Sequence, residues 1–215
     1  DGWQYLAPGA ITDVTPGSGQ IGTTVTITGV RLIVEGDAVD TVSFAGVQVT
    51  VVSPSSSEII VEVPAGDAGV GLILITAVGG STVSLEDGWT YMTPGTIAAA
   101  EPNQGVSGTR VLIYGRYLRG HGTAVATVSL AGVAASIEQE TNSFVRVTAG
   151  AGADGTEGDI VLTANTGAVV LLSDGFTYVE GGSITAVEPS SGISGTLVTI
   201  TGSNLLSGGD NVTQV

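Results

Sequence analysis

The chain repeats its own pattern three times. The segments ITDVTPGSGQIGTTVTITG, IAAAEPNQGVSGTRVLIYG and SITAVEPSSGISGTLVTITG recur at spacings of 86 and 87 residues, counted from Ile11, Ile97 and Ile184. The motifs DGWQY, DGWTY and DGFTY have the same spacing and begin at Asp1, Asp87 and Asp174. Self-similarity at a fixed period indicates an array of structural units. The sequence therefore predicts successive units of about 86 residues, each large enough for a small core of its own.

The repeats divide the chain into four segments. Residues 1–8 are predicted to hold the last strand of a preceding repeat, 9–94 and 95–181 one repeat each, and 182–215 the start of another. The third copy stops where the first two continue from Val42 and Val128 into SFAGV and SLAGV. We therefore expect the chain to be a section of a longer array.

Within each repeat, apolar and polar residues alternate. In TTVTITG, Val25 and Ile27 alternate with threonine, and in TLVTITG, Val198 and Ile200 do the same. A period of two predicts a strand with one buried face. The other residues predicted to point inward are Val42, Phe44, Ile59, Val61, Val63, Ile73, Ile75, Trp89, Tyr91, Val128, Leu130, Ile160, Leu162, Phe176 and Tyr178. Short strands separated by Gly, Pro, Ser and Asp turns indicate an all-β fold of antiparallel sandwiches.

The recurring residues resemble a known family. The pattern P-x-x-G-x-x-G-T-x-V-x-I-x-G is followed by Leu32, Leu118 or Leu205, and the repeat closes with DGW/F-T-Y. This combination is similar to the IPT/TIG domain, an immunoglobulin-like fold of transcription factors, plexin-type receptors and large microbial surface proteins. The resemblance covers nearly the whole chain. It implies tandem immunoglobulin-like β-sandwiches arranged as beads on a string, without catalytic residues, at the cell surface or outside the cell.

Charge and composition exclude several classes of function. The chain has 20 acidic and five basic residues, all of the latter arginine, so the net charge is −15. Such a chain is not suited to binding nucleic acid, which requires clustered Lys and Arg. It contains no cysteine, which excludes disulfides and thiolate metal sites. No apolar run approaches the roughly 20 residues of a membrane span, so no membrane insertion is expected.

Catalytic patterns are missing from the sequence. The single histidine, His121, lies in the loop GRYLRGHG, which only the second repeat contains, and there is no G-x-S-x-G motif for a serine nucleophile. We expect no enzymatic activity and no organic cofactor.

Two weaker signals concern bound groups. Asp154, Glu157 and Asp159 in ADGTEGD offer oxygen ligands for calcium, although their spacing matches no EF-hand, and a solvated acidic loop is the alternative. Asn211 begins an Asn-Val-Thr acceptor for N-linked glycosylation, which has meaning in a secreted eukaryotic protein.

The second repeat has the most individual surface. Leu112 and Tyr114 replace Thr26 and Thr28 on the outward side of the strand, and a loop with Arg, Tyr and His follows. Exposed aromatic and Arg residues are enriched at interfaces. Alternatively, the two apolar residues pack beneath a loop between repeats. The predicted interface residues are Leu112, Tyr114, Arg116, Tyr117, Arg119 and His121.

Two functions fit these observations. The first is structural: repeats joined by links as short as MTPGT form a semi-rigid stalk or an extracellular filament, such as an adhesin stalk, surface fibre or flagellar hair, which associates with itself or with other surface proteins. The second is recognition of a receptor or an anionic polysaccharide through the repeat loops.

Overall fold

A computed structural model describes residues 7–33 and 37–206. These ranges contain only strands and turns, so they include no helix that could cross a membrane. The chain divides into two compact units. The first contains the described residues up to Gly95 together with Tyr117–Ala126 and Thr163–Val170, and the second contains Thr96–Arg116, Thr127–Leu162 and the described residues from Leu171 onward.

The first repeat forms two sheets from nine strands. They are β1 (Ala10–Thr15), β2 (Ser18–Gly19), β3 (Thr24–Val30), β4 (Val39–Phe44), β5 (Val47–Gln48), β6 (Thr50–Pro54), β7 (Glu58–Glu62), β8 (Gly69–Ala77) and β9 (Thr82–Tyr91). The strand orders are β1-β3-β7-β6 and β2-β9-β8-β4-β5. Neighbouring strands are antiparallel except for β2 and β9, which are parallel.

The core of the first repeat lies between its two sheets. Val25 and Ile27 of β3 are fully buried in one cluster with Phe44 of the opposite sheet. The Trp89 ring packs 5.0 Å from that of Phe44 and 5.8 Å from that of Tyr91, measured between centroids. The predicted alternation and the all-β sandwich are thus confirmed.

The second repeat has eight strands. They are β10 (Thr96–Glu101), β11 (Gln104–Gly105), β12 (Arg110–Arg116), β13 (Val125–Leu130), β14 (Val133–Glu140), β15 (Phe144–Thr148), β16 (Glu157–Ala164) and β17 (Val169–Tyr178). The order is β10-β12-β15-β14-β13-β16-β17-β11, in which the long β14 pairs with both β15 and β13. It replaces the separate β5 and β6 of the first repeat. The inward residues predicted here, from Val128 to Tyr178, are buried.

The described part of the third repeat contains two strands, β18 (Ser183–Glu188) and β19 (Thr199–Ser203), which pair with each other. Val198 was predicted to be buried, but it is 46% exposed and Ile200 is only half-buried. That prediction is wrong for the described structure, because two strands offer no second sheet to cover an inward face.

The three repeats share local backbone geometry as well as sequence. Each first strand pair has a register shift at the equivalent position, between Ile11 and Asp13, Ile97 and Ala99, and Ile184 and Ala186. The residue before the recurring leucine has a left-handed backbone, with φ of 50° at Arg31, 52° at Tyr117 and 47° at Asn204. Leu32 and Leu118 are buried, as predicted for Leu118.

We expect Phe44→Ala to lower the free energy of unfolding of the first unit by about 3–5 kcal/mol, because it removes a fully buried ring from the core. Phe44→Leu should cost less, about 1–1.5 kcal/mol. Urea unfolding followed by tryptophan fluorescence measures both, since Trp89 contacts Phe44. Val52→Ala is the control, because Val52 is 60% exposed. Equal effects of Phe44→Ala and the control would contradict this assignment of the core.

Candidate interaction sites

One outer sheet surface in the second unit has basic and apolar side chains. We call Arg110, Leu112 and Tyr114 of β12, with Phe144 and Arg146 of β15, the arginine face. Its residues alternate with fully buried valine and isoleucine along both strands. Leu112 lies opposite Arg146, and Tyr114 lies opposite Phe144. Facing pairs of this kind are close enough for their side chains to touch.

The Glu138 carboxylate accepts two hydrogen bonds at one end of this face. The Arg110 Nε donates to Glu138 Oε1 at 3.2 Å, and the Thr148 hydroxyl donates to the same oxygen at 2.6 Å. The hydrogen bond from Thr148, followed by the charges of Arg110 and Arg146, lowers the pKa of Glu138 despite some desolvation. Arg110, Leu112, Glu138 and Arg146 line a shallow cleft of about 240 Å³. The face therefore presents fixed charges beside apolar surface.

The predicted interface residues fall into two groups. Leu112, Tyr114 and Arg116 belong to the second compact unit, whereas Tyr117, Arg119 and His121 belong to the first. Leu112 is half-buried and Tyr114 is 38% exposed, so both remain accessible to a partner. Their role in an interface stays a prediction.

The second group forms a small stacked cluster. The rings of Tyr117 and His121 lie 4.9 Å apart at 28°. His121 Nε2 is 2.7 Å from the carbonyl oxygen of Thr93. Since a carbonyl only accepts, Nε2 carries the hydrogen in this bond. His121 thus holds the link that follows β9.

A buried glutamine is the main contact that the sequence did not reveal. Gln20 is 1% exposed. Its Oε1 accepts from the Gly95 amide and its Nε2 donates to the Val169 carbonyl, both at 2.7 Å. All three residues belong to the first compact unit. The equivalent residues of the other two repeats, Val106 and Ile193, are apolar. The signal available in the sequence was therefore a polar residue at a position where the other repeats have an apolar one.

Backbone contacts surround this glutamine. The Val169 amide donates to the Ile21 carbonyl at 3.0 Å, and the Thr24 amide donates to the Thr166 carbonyl at 2.9 Å. Gly22 and Gly167 meet at the same place with φ of 83° and 85°. A Cβ on Gly22 would lie 2.8 Å from the Gly167 oxygen, so the close approach requires glycine. We call Gln20, Ile21 and Thr24 with the turn 165–169 the glutamine clamp.

Calcium binding by the acidic loop stays a prediction, with a solvated acidic loop as its alternative. Across residues 7–33 and 37–206, the structure contains no group of three or more His, Cys, Asp or Glu residues arranged to hold a metal. Asp159 instead accepts a hydrogen bond from the Asp174 amide at 3.0 Å, while Asp154 and Glu157 are exposed. The carboxylates are therefore dispersed. Asn211 lies outside the described residues.

The IPT/TIG domain matches residues 10–91, 96–178 and 183–215. The chain belongs to the IPT/TIG domain family. This agrees with the resemblance in the repeated motifs, and it accounts for the immunoglobulin-like sandwich in each complete IPT/TIG repeat. A search of curated proteins finds no significant relative.

Several solved structures are similar to this chain. The extracellular region of plexin A4 has a TM-score of 0.52 and 23% identity, with 84% of this chain and 16% of that chain covered. SGBP-B from a xyloglucan utilization locus of Bacteroides uniformis has a TM-score of 0.34 and 16% identity, with 84% of this chain and 55% of that chain covered. SGBP-B from the mixed-linkage glucan utilization locus of Bacteroides ovatus has a TM-score of 0.34 and 13% identity, with 83% of this chain and 48% of that chain covered. The chain thus spans about half or less of these proteins.

We expect Gln20→Leu to destabilise the first unit by about 1–3 kcal/mol, because it leaves the buried Gly95 amide and Val169 carbonyl without their partner. Urea unfolding of the full chain measures the loss. The matched control is Gln48→Leu, since Gln48 is exposed on β5 of the same repeat. An unchanged midpoint for Gln20→Leu would show that the clamp contributes nothing to stability.

Proposed function

We propose that this chain is a non-enzymatic structural section of an extracellular or cell-surface protein, in which tandem IPT/TIG sandwiches form a stalk or filament. The observation that carries the proposal is the fixation of the link between β9 and β10. Only residues 92–95 separate these strands. The Met92 amide donates to the Gly19 carbonyl, Thr93 accepts from His121, and Gly95 donates to Gln20.

A link held in this way is suited to a spacer. Flexible linkers between domains are long and rich in Gly and Ser, and they leave the orientation of their neighbours open. Here three of four link residues have hydrogen bonds to folded parts of the first unit. Each hydrogen bond removes conformational freedom from the link. Successive sandwiches can therefore transmit a force and keep a fixed spacing. A net charge of −15 keeps such a section soluble.

The second candidate is recognition of an anionic partner, such as a polysaccharide or a receptor. The arginine face favours it, because Arg110 and Arg146 lie beside accessible aromatic rings in an otherwise acidic chain. Arginine and aromatic residues are the common anchors of binding surfaces. The two candidates are compatible, since a stalk can have a binding surface.

Spin-label distances test the structural proposal. The chain has no cysteine, so Ser53→Cys and Ser136→Cys, both exposed, place one label on each repeat without side reactions. We expect a narrow distribution of distances from pulsed electron paramagnetic resonance. Gln20→Leu should broaden it, because it frees Gly95 from the clamp, whereas Gln48→Leu should not.

A broad distribution in the unaltered chain, like that of domains on a flexible tether, would contradict the stalk. A narrow distribution that Gln20→Leu leaves unchanged would retain the stalk but assign its stiffness to other contacts.

A further inference from the structure

The two complete repeats have different side chains on the same outer sheet surface. In the first repeat, β3 and β7 correspond to β12 and β15, with Thr24 opposite Glu62, Thr26 opposite Ile60, and Thr28 opposite Glu58. The second repeat has Arg110 opposite Thr148, Leu112 opposite Arg146, and Tyr114 opposite Phe144 at the matching positions. The backbone register is the same in both sheets, so the difference in surface comes from the outward side chains.

The surface of the first repeat is acidic. We call Glu58 and Glu62 of β7, with Asp13 of β1, the acidic face. All three residues are exposed, and Asp13 lies opposite Thr28, next to Glu58 across β3. The only arginine of this repeat, Arg31, donates to the carbonyl oxygens of Ala7 and Pro8. The carboxylates of the acidic face thus have no arginine of their own repeat available.

The distribution of charge identifies the partner. Four of the five arginines lie between residues 110 and 146, whereas the chain as a whole has a net charge of −15. A second copy therefore presents mostly acidic surface. It meets less repulsion at the arginine face than elsewhere, although the same sheet surface also has Glu138, paired with Arg110, and Glu101, opposite Leu112. Complementary charge of this kind raises the rate and specificity of encounter. Sheets of the same fold have the same twist, which allows two such faces to align.

We propose that the arginine face of one copy docks on the acidic face of a second copy. Arg110 and Arg146 lie on neighbouring strands, and Asp13 and Glu58 flank β3 in the other face. Arg146 pairs with these carboxylates, and Arg110 shares its charge between them and Glu138 of its own repeat. Leu112, Tyr114 and Phe144 supply apolar area, for which Ile60 and the threonine methyl groups are the facing surface. This inference rests on the proposed structural role, since it turns a stalk section into a laterally associating one.

The two faces are unlike, so the contact is heterologous. Heterologous contacts produce rings where the rotation between copies closes and open filaments where it does not. Four strands spaced about 4.8 Å apart and some six residues long give a face of roughly 400 Å² on each partner. A total of about 800 Å² is at the low end for specific contacts. Single contacts are therefore weak and sensitive to salt, and tandem repeats strengthen them through avidity.

Sedimentation velocity of the full 215-residue chain tests the contact. We expect association that increases with concentration up to about 500 µM and weakens at least tenfold between about 50 and 500 mM salt. Leu112→Ser with Tyr114→Thr should reduce association, because it replaces the apolar side chains with hydroxyl groups like those of Thr26 and Thr28 in the first repeat. Circular dichroism and thermal unfolding verify that each variant is folded.

Two charge variants identify the facing surfaces. Arg146→Glu alters only the arginine face, and Glu58→Arg with Glu62→Arg alters only the acidic face. Neither should associate alone, whereas an equimolar mixture should, since each variant retains the face that the other has lost. Glu157→Arg is the control, because it adds a positive charge at an exposed site outside both faces.

Three results would overturn the proposal: a wild-type chain that stays monomeric at low salt, continued association of the Glu58 and Glu62 variant alone, or failure of the mixture to associate. A monomeric chain that binds a sulfated polysaccharide through Arg146 would assign the arginine face to a glycan. None of these results changes the spin-label distances, so the stalk proposal is tested separately.

Discussion

Burial of alternate side chains between two sheets is the interaction on which the rest of this molecule depends. In the first repeat, Val25, Ile27 and Phe44 are removed from water together with Trp89. Without disulfides, these apolar contacts offset the conformational entropy lost on folding. The same alternation leaves every second side chain outside the core. The inward set is therefore constrained by packing, whereas the outward set is free to differ from one repeat to the next.

That freedom explains how one fold presents opposite surfaces. Thr26 and Leu112 occupy matching positions of matching strands, and neither contributes to a core, so their exchange leaves the sandwich intact. Function in a family of this kind resides in sites added to a common scaffold. The glutamine clamp is a further example, at the ends of the sandwich, of a residue that differs between repeats without a change of fold. Gln20 occupies a position that is apolar in the other repeats and uses it to hold Gly95 and Val169.

Most of the fold was predictable, because a period of two is a local property of the sequence. Trp89, Tyr91, Phe176 and Tyr178 are buried as their spacing indicated. The clamp was not predictable in the same way, since Gln20 lies 75 and 149 residues from the groups it contacts. Spacing within one strand contains no information about such distant pairs. Nearness in sequence likewise did not gather the carboxylates of Asp154, Glu157 and Asp159 into one cluster in the described part of the chain.

The account as a whole requires that the link between sandwiches be as ordered as the strands beside it. Amide hydrogen exchange of the full chain measures this at single residues. The account predicts that the Met92 and Gly95 amides, which donate to Gly19 and Gln20, exchange slowly, with protection approaching that of β9. Exchange of these two amides at the rate of an unstructured peptide, with β9 still protected, would contradict it.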